Sequence, residues 1–134
     1  MIPERFATMV YGLFRLVFGF SFLLHGLQKW GLVGGQVVPL EGPIGIARVI
    51  EPILGTLIML GLLTRPSAFI ASGQMAVAYF LAHQPSGGFP IQNNGELAVL
   101  YCFAFLYIAA RGSGIWSVDA MRARPVATRP AAVR

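Results

Sequence analysis

The sequence predicts an all-α integral membrane protein, a four-helix bundle with both termini on the cytoplasmic side. Three observations carry that fold class. Four apolar stretches, at about residues 7–28, 44–63, 66–82 and 95–111, each approach the roughly 17 to 25 residues that one helical crossing requires. Charged residues make up only 11% of the chain against 56% hydrophobic ones, with a mean hydropathy of +0.69, which leaves too little polar surface for a water-soluble body of this size. The basic residues are also lopsided. With cytoplasmic termini, Arg5, Arg15, Arg65, Arg111, Arg122, Arg124, Arg129 and Arg134 fall inside or in the inner half, and only Lys29 and Arg48 lie toward the outside, as the positive-inside rule expects.

Each element follows from local chemistry. In hydrocarbon every backbone amide needs an internal partner, so the spans must be helices, and their near-continuous apolar runs lack the alternation of a membrane barrel. The apolar run from Leu13 to Leu27 outlasts the core of a secretory signal and ends in His25-Gly26-Leu27-Gln28-Lys29, with no small-residue cleavage site, which predicts an uncleaved first span. Residues 31–43 hold four glycines and two prolines and read as a loop before the second span. Thr64-Arg65-Pro66 is a tight turn in which Thr64 caps the third helix and Pro66 occupies its first turn. Pro85-Ser86-Gly87-Gly88-Phe89-Pro90 and Asn93-Asn94-Gly95 form a second outer loop, and Asn93 with Glu96 resembles a capping box for the fourth helix. Both outer loops are long enough to fold over the bundle as lids. Residues 1–121 therefore read as one four-span domain, and 122–134, with Pro125, Pro130 and four arginines, as a basic cytoplasmic tail expected to be mobile and drawn to anionic headgroups.

A net charge of +5 and a pI near 10.2 raise the possibility of nucleic acid, but no basic stripe with interleaved aromatics is present and the charges report topology instead. The single cysteine, Cys102, excludes an internal disulfide, a CxxC pair and a thiolate metal cluster, and reads as a small buried apolar residue.

The polar residues inside the spans carry the functional signal. Arg15, Phe18, Phe22, His25 and Lys29 recur at spacings of three and four on the first helix, beside Gly19 and Gly26, so one face holds the span's ionisable groups and admits a close neighbour. The third helix ends as the first does, with Phe80-Leu81-Ala82-His83 echoing Phe22-Leu23-Leu24-His25, which sets the two histidines at similar depth. An ionisable group inside a span costs about 2.5 to 3.5 kcal/mol on insertion scales, so each needs a partner or a function. Two readings fit. In the structural one, Arg48 pairs with Glu51 along the second helix, Lys29 reaches the outer interface, and Arg15 reaches lipid phosphate or a helix-terminal carbonyl. In the functional one, His25, Lys29, Arg48, Glu51, His83, Asn94 and Glu96 ring the outer mouth above an aromatic floor of Phe18, Phe22, Tyr79 and Phe80. The ligand-binding candidates are then His25, Lys29, Arg48, Glu51, Tyr79, His83, Asn94 and Glu96. A polar mouth over an aromatic slot suits a quinone or another amphipathic aromatic molecule, with which a histidine can exchange a proton. Axial haem ligation by His25 and His83 is a less specific reading, and no other metal site is expected.

These residues resemble the DoxX family. The resemblance runs from about Arg15 to Asp119 and rests on Arg15, Gly19, Phe22, His25-Gly26 and Lys29, then Glu51, Gly55, Gly61 and Thr64-Arg65, then Tyr79, His83 and Pro85, and finally Phe89-Pro90 and Asn94-Gly95-Glu96. It implies a small multi-pass protein of the bacterial cytoplasmic (inner) membrane acting as an oxidoreductase component, in a family named after a subunit of an archaeal thiosulfate:quinone oxidoreductase. Other members are linked to oxidative stress, quinone detoxification and sulfur metabolism, often beside a soluble partner enzyme. The chain has no flavin, nicotinamide or iron–sulfur motif and no complete catalytic motif, so redox work here requires a soluble or membrane oxidoreductase subunit as partner. A noncatalytic anchor or assembly factor, and a carrier of a small lipophilic compound, are the alternative classes. A homo-oligomer is compatible with all three.

Overall fold

The chain enters its first helix at Pro3, and α1 runs Glu4–Gln28 with Glu4 in the first turn, where a carboxylate complements the helix dipole. The computed structural model describes residues 3–123, so the tail expected at 122–134 lies, beyond residue 123, outside the described residues. α2 (Gly42–Leu60) has proline in its first turn and ends on Gly61, whose φ of +67° suits a residue without a Cβ. α3 (Thr64–Ala78) continues into a π-helical turn, Tyr79–His83, and a 3-10 turn, Gln84–Ser86. α4 spans Glu96–Arg111. A short α5 (Val118–Arg122), which no periodic signal announces, is capped by Ser117 Oγ accepting from the Ala120 N–H at 3.2 Å. Among the described residues the protein is all-helical, without a strand.

α1 and α2 are each long and apolar enough to cross a membrane, and only 28% of the residues in their most apolar windows are buried inside the protein. The rest face outward. Val17, Phe20, Ile53, Phe69, Leu100 and Phe103 are all at least half exposed, a girdle of large apolar side chains that lipid satisfies and water does not.

The helices pack as two hairpins, α1 on α2 and α3 on α4, joined chiefly by α2 against α3. Glycine sets the first pairing. A Cβ on Gly19 would lie 2.4 Å from the Met59 nitrogen, one on Gly55 2.4 Å from the Leu23 nitrogen, and one on Gly26 2.3 Å from Pro52 Cδ, so the backbones touch directly. α1 and α4 stand further apart, and aromatic rings fill the gap: Phe18 meets Tyr101 edge-on at 5.6 Å, Phe22 meets Phe105 at 4.8 Å, and Tyr101 stacks on Phe105 at 5.4 Å.

The end of the bundle that carries the termini is clamped by charged side chains. Arg15, fully buried, donates to the carbonyls of Ile58 (2.7 Å), Met59 (2.6 Å) and Trp116 (2.8 Å), which takes up the orphan acceptors at the end of α2. Arg65 serves α4 likewise through the carbonyls of Ala109 (3.0 Å) and Ala110 (2.7 Å). The Thr64 side chain does not cap α3. Its role is taken by Asp119, which accepts from the N–H groups of Leu63 and Thr64, both at 2.9 Å, and from Thr64 Oγ1 at 2.8 Å. The cap residue Leu63 is left-handed at φ +48°, a conformation costly for a side chain with a Cβ, and Asp119 holds it there.

Candidate functional site

The aromatic filling between the hairpins stops at Phe22 and Tyr101, and beyond them, at the end opposite the termini, lies a cavity of about 510 Å³. All four long helices contribute to it. α1 supplies Phe22 and His25, α2 Ala47 and Glu51, α3 Gln74 and Met75, and α4 Ala98 and Tyr101, while the π-helical turn and the following loop add His83 and Asn94. Tyr101 and Phe22 are 5% and 1% exposed, which makes them the rigid floor.

An ion pair crosses one wall. Glu51, 3% exposed, accepts from Lys29 Nζ at 2.5 Å through one carboxylate oxygen and from Gln74 Nε2 at 3.0 Å through the other. The close α1–α2 approach at Gly26 and Pro52 is what brings Lys29, at the end of α1, over Glu51 in the interior of α2. Lys29 also donates to the His25 carbonyl at 3.4 Å. The His25 and Tyr101 rings meet at right angles with centroids 5.6 Å apart, and Gln74 Oε1 is buried without a hydrogen-bond partner.

The opposite wall depends on the helical irregularity. The wider π turn carries His83 toward the loop, where Nδ1 donates to the Asn93 carbonyl at 3.2 Å. Because the partner is a carbonyl oxygen, Nδ1 is the donor in this contact. Asn93 is 4% exposed and fastens the loop: Nδ2 donates to the Gly87 carbonyl at 2.9 Å and to Tyr79 Oη at 3.3 Å, and Oδ1 accepts from the Gly95 N–H at 2.9 Å.

Five of the eight candidates meet around this cavity: His25, Lys29, Glu51, His83 and Asn94. Three do not line it. Arg48 stacks its guanidinium on Trp30, 4.0 Å from the ring centroid, and donates to the Val38 carbonyl at 2.5 Å, pinning the loop after α1 to α2 instead of pairing with Glu51. Tyr79 lies behind His83 as a prop, its ring 6.4 Å from the imidazole. Glu96 is exposed in the first turn of α4, and no capping box forms, because Asn93 turns back on Gly95, the cap residue itself. The expected floor is also shorter: Phe18 sits deeper, against Phe14 at 4.4 Å, and Phe80 is 64% exposed on the outer face. Sequence reasoning missed Gln74 and Tyr101, and read Asn93 as a helix cap where it fastens the loop instead. Gln74 and Tyr101 carried a legible signal, being polar groups inside apolar runs.

A family model described as DoxX matches residues 11–84, from within α1 through the π turn, and stops short of Asn94-Gly95-Glu96. A relative from Haemophilus influenzae, described as an uncharacterized protein, is 38% identical over 124 residues, covering 87% of this chain and 92% of the relative. No solved structure matches. With more than half of the chain under the family model and a relative matched over nearly its whole length, this chain belongs to the DoxX family of membrane proteins.

Proposed function

We propose that the protein is a four-span component of the bacterial cytoplasmic membrane, with cytoplasmic termini, that holds the head of a quinone or similar amphipathic aromatic molecule for an oxidoreductase system. The single observation behind this reading is the cavity: about 510 Å³, within the range of about 300 to 1000 Å³ common for small-molecule sites, with aromatic and aliphatic walls and a few converging polar groups. Residues 1–121 form the membrane body on this reading, and the clustering of Arg15, Arg65 and Arg111 at the end that carries the termini supports the orientation.

The residues suit such a ligand. Phe22, Met75 and Tyr101 offer a slot for a ring, and Lys29 and Asn94 offer donors to head-group oxygens. His25, beside Lys29 and lining the same cavity, is placed to take or give a proton at a head-group oxygen. When bound, a quinone supplies two-electron chemistry, and a partner protein carrying its own redox centre supplies or removes the electrons.

The test is direct. Full-length protein purified in mild detergent is extracted for bound isoprenoid quinone by mass spectrometry and titrated with a short-chain benzoquinone. Saturable binding is expected, weakened at least about tenfold by Ala78→Phe, which puts a ring into the cavity, and by His25→Ala, a loss of about 1.4 kcal/mol. Absence of both bound quinone and saturable binding, with a partner protein still retained, returns the protein to the anchor reading. A haem absorbance band in the purified protein would replace the quinone as ligand.

A further inference from the structure

The cavity is open on one side. On α2, Glu51, Ala47 and Ile44 follow one another outward along a single helical face, and Gln74, Ala78 and Leu81 do the same on α3 and its π-helical turn, all six lining the cavity. The two rows are tied at their deep end, where Gln74 Nε2 donates to Glu51 at 3.0 Å. One turn further out each row becomes alanine, and the single methyls of half-buried Ala47 and Ala78 cannot bridge the gap that the longer side chains span below. At the outer end of the rows Ile44 is 54% exposed and Leu81 59%, with Val77 also at 54%, against 1% for Phe22 and 5% for Tyr101 on the floor. The lining therefore passes from buried through half-buried to outward-facing residues, and the cavity opens sideways through a slot between α2 and α3.

Depth decides what lies outside the slot. Leu60 and Thr64 stand at the end clamped by Arg15, Arg65 and Asp119. At about 1.5 Å per residue, Ile44 is about 24 Å along α2 from Leu60, and Val77 about 20 Å along α3 from Thr64. A hydrocarbon core of about 30 Å measured from that end reaches past both, so acyl chains, not water, meet the slot. The outward-facing edges, Ile44, Val77 and Leu81, are apolar, as that solvent requires. The donors come from elsewhere: His25 and Lys29 from α1, and Asn94 from the loop.

We infer that the slot is a tail subsite: the ligand carries a hydrocarbon tail, enters from the bilayer, and leaves that tail lying between Ile44 and Ala47 on one side and Val77, Ala78 and Leu81 on the other while its head fills the cavity. This rests on the cavity being the ligand site proposed above. The occupant is the tail of the bound molecule and not a bulk phospholipid chain, because the slot leads directly into the space that holds the head. A tail on this route stays in lipid and is spared hydration, which a route through a water-facing mouth would impose.

The experiment places the full-length protein in phosphatidylcholine nanodiscs with a decyl-benzoquinone that carries a diazirine in mid-tail, irradiates it, and maps the adducts by mass spectrometry. Adducts are expected on Ile44, Ala47, Val77, Ala78 or Leu81, and excess decyl-benzoquinone without the diazirine should abolish them. Competed adducts elsewhere, for instance on the outer-loop residues Phe89 and Ile91, would overturn the slot while leaving the cavity as the ligand site. Adducts in the slot that the competitor does not remove would assign it to bulk lipid, with the same consequence. Ile44→Trp/Val77→Trp narrows the slot from its two exposed edges. It should lower the ratio of decyl-benzoquinone affinity to that of a tail-free methyl benzoquinone about tenfold, relative to the unaltered protein in the same lipid, where partitioning of each probe into the bilayer cancels. A ratio unmoved by the double substitution would overturn the subsite. The photolabelling uses the unaltered protein, so it stands even if the variant fails to fold. Failure of both the tailed and the tail-free probe to bind saturably would overturn the proposed function and this inference together.

Discussion

Replacing Lys29 by methionine removes the cation but leaves Glu51 in place, and the energetic consequence follows from how unequally the two are buried. Glu51 is 3% exposed and Lys29 21%, so the carboxylate depends on its partner more than the ammonium does. Stripping one member from a buried pair costs about 3 to 5 kcal/mol when the other cannot reach water, and Glu51 would keep only the Gln74 amide at 3.0 Å. Glu51→Gln leaves the better exposed charge. Lys29 still has the His25 carbonyl at 3.4 Å and can turn toward the headgroups, so that loss should fall near about 1 to 2 kcal/mol. The double variant Lys29→Met/Glu51→Gln should sit close to Glu51→Gln alone, because the stranded charge is gone. Unfolding in mild detergent, followed by helical circular dichroism against added sodium dodecyl sulfate, reads all three. Equal losses from the two single variants, or a double variant whose loss is their sum, would refute the claim that Lys29 exists to neutralise a carboxylate stranded in the bundle.

Asp119, which lies in α5 beyond the spans, supplies a pH dependence. Burial opposes its ionisation, but hydrogen bonds from the Thr64 N–H, the Thr64 hydroxyl and the Leu63 N–H outweigh it and hold the carboxyl below the usual carboxylate range. Its contribution is therefore present above the unfolded value of about 3.9 and is lost as pH falls through the lower folded value, so acid unfolding should lose that component in Asp119→Asn. At neutral pH the same variant should cost about 1 to 2 kcal/mol, since Leu63 at φ +48° loses the acceptor that holds it, and unchanged detergent stability would count against the clamp. Gly55→Val should separate α1 from α2, because even the first carbon would lie 2.4 Å from the Leu23 nitrogen. The expected result is a lower unfolding midpoint together with weaker ligand binding, since the same approach sets Lys29 over Glu51; binding untouched in a destabilised protein would uncouple the two.

Much of the architecture was legible because the bilayer imposes it. A solvent that cannot satisfy a backbone amide admits few solutions, so apolar runs of the right length read directly as helices, and the outward girdle of Phe20, Ile53 and Phe103 follows from the same cause. The close α1–α2 pairing was foreshadowed by Gly19 and Gly26, since a missing side chain is an invitation to a neighbouring backbone. His25, Lys29, Glu51, His83 and Asn94 were recognisable because a polar group inside or bordering a span is costly anywhere but at a partner or a site.

Which partner each group takes is a different matter, because it depends on helix rotation and on loop return, neither of which spacing encodes. Arg48 and Glu51 are three residues apart and suggest a pair, yet a loop brings Trp30 and Val38 to the arginine while a different helix brings Lys29 to the carboxylate. The π turn at Tyr79–His83 shifts the end of α3 out of its regular period, turning His83 toward the loop and leaving Phe80 outside, so a floor drawn from a 3.6-residue repeat includes the wrong ring. Asn93 and Asp119 act across chain reversals that only the folded chain creates. The sequence by itself determined a helical membrane protein with costly polar groups near one end of its spans, because solvent and backbone chemistry act locally. Only the tertiary structure decided that five of them, with Gln74, face one cavity, because that requires four helices to fix their rotations against one another.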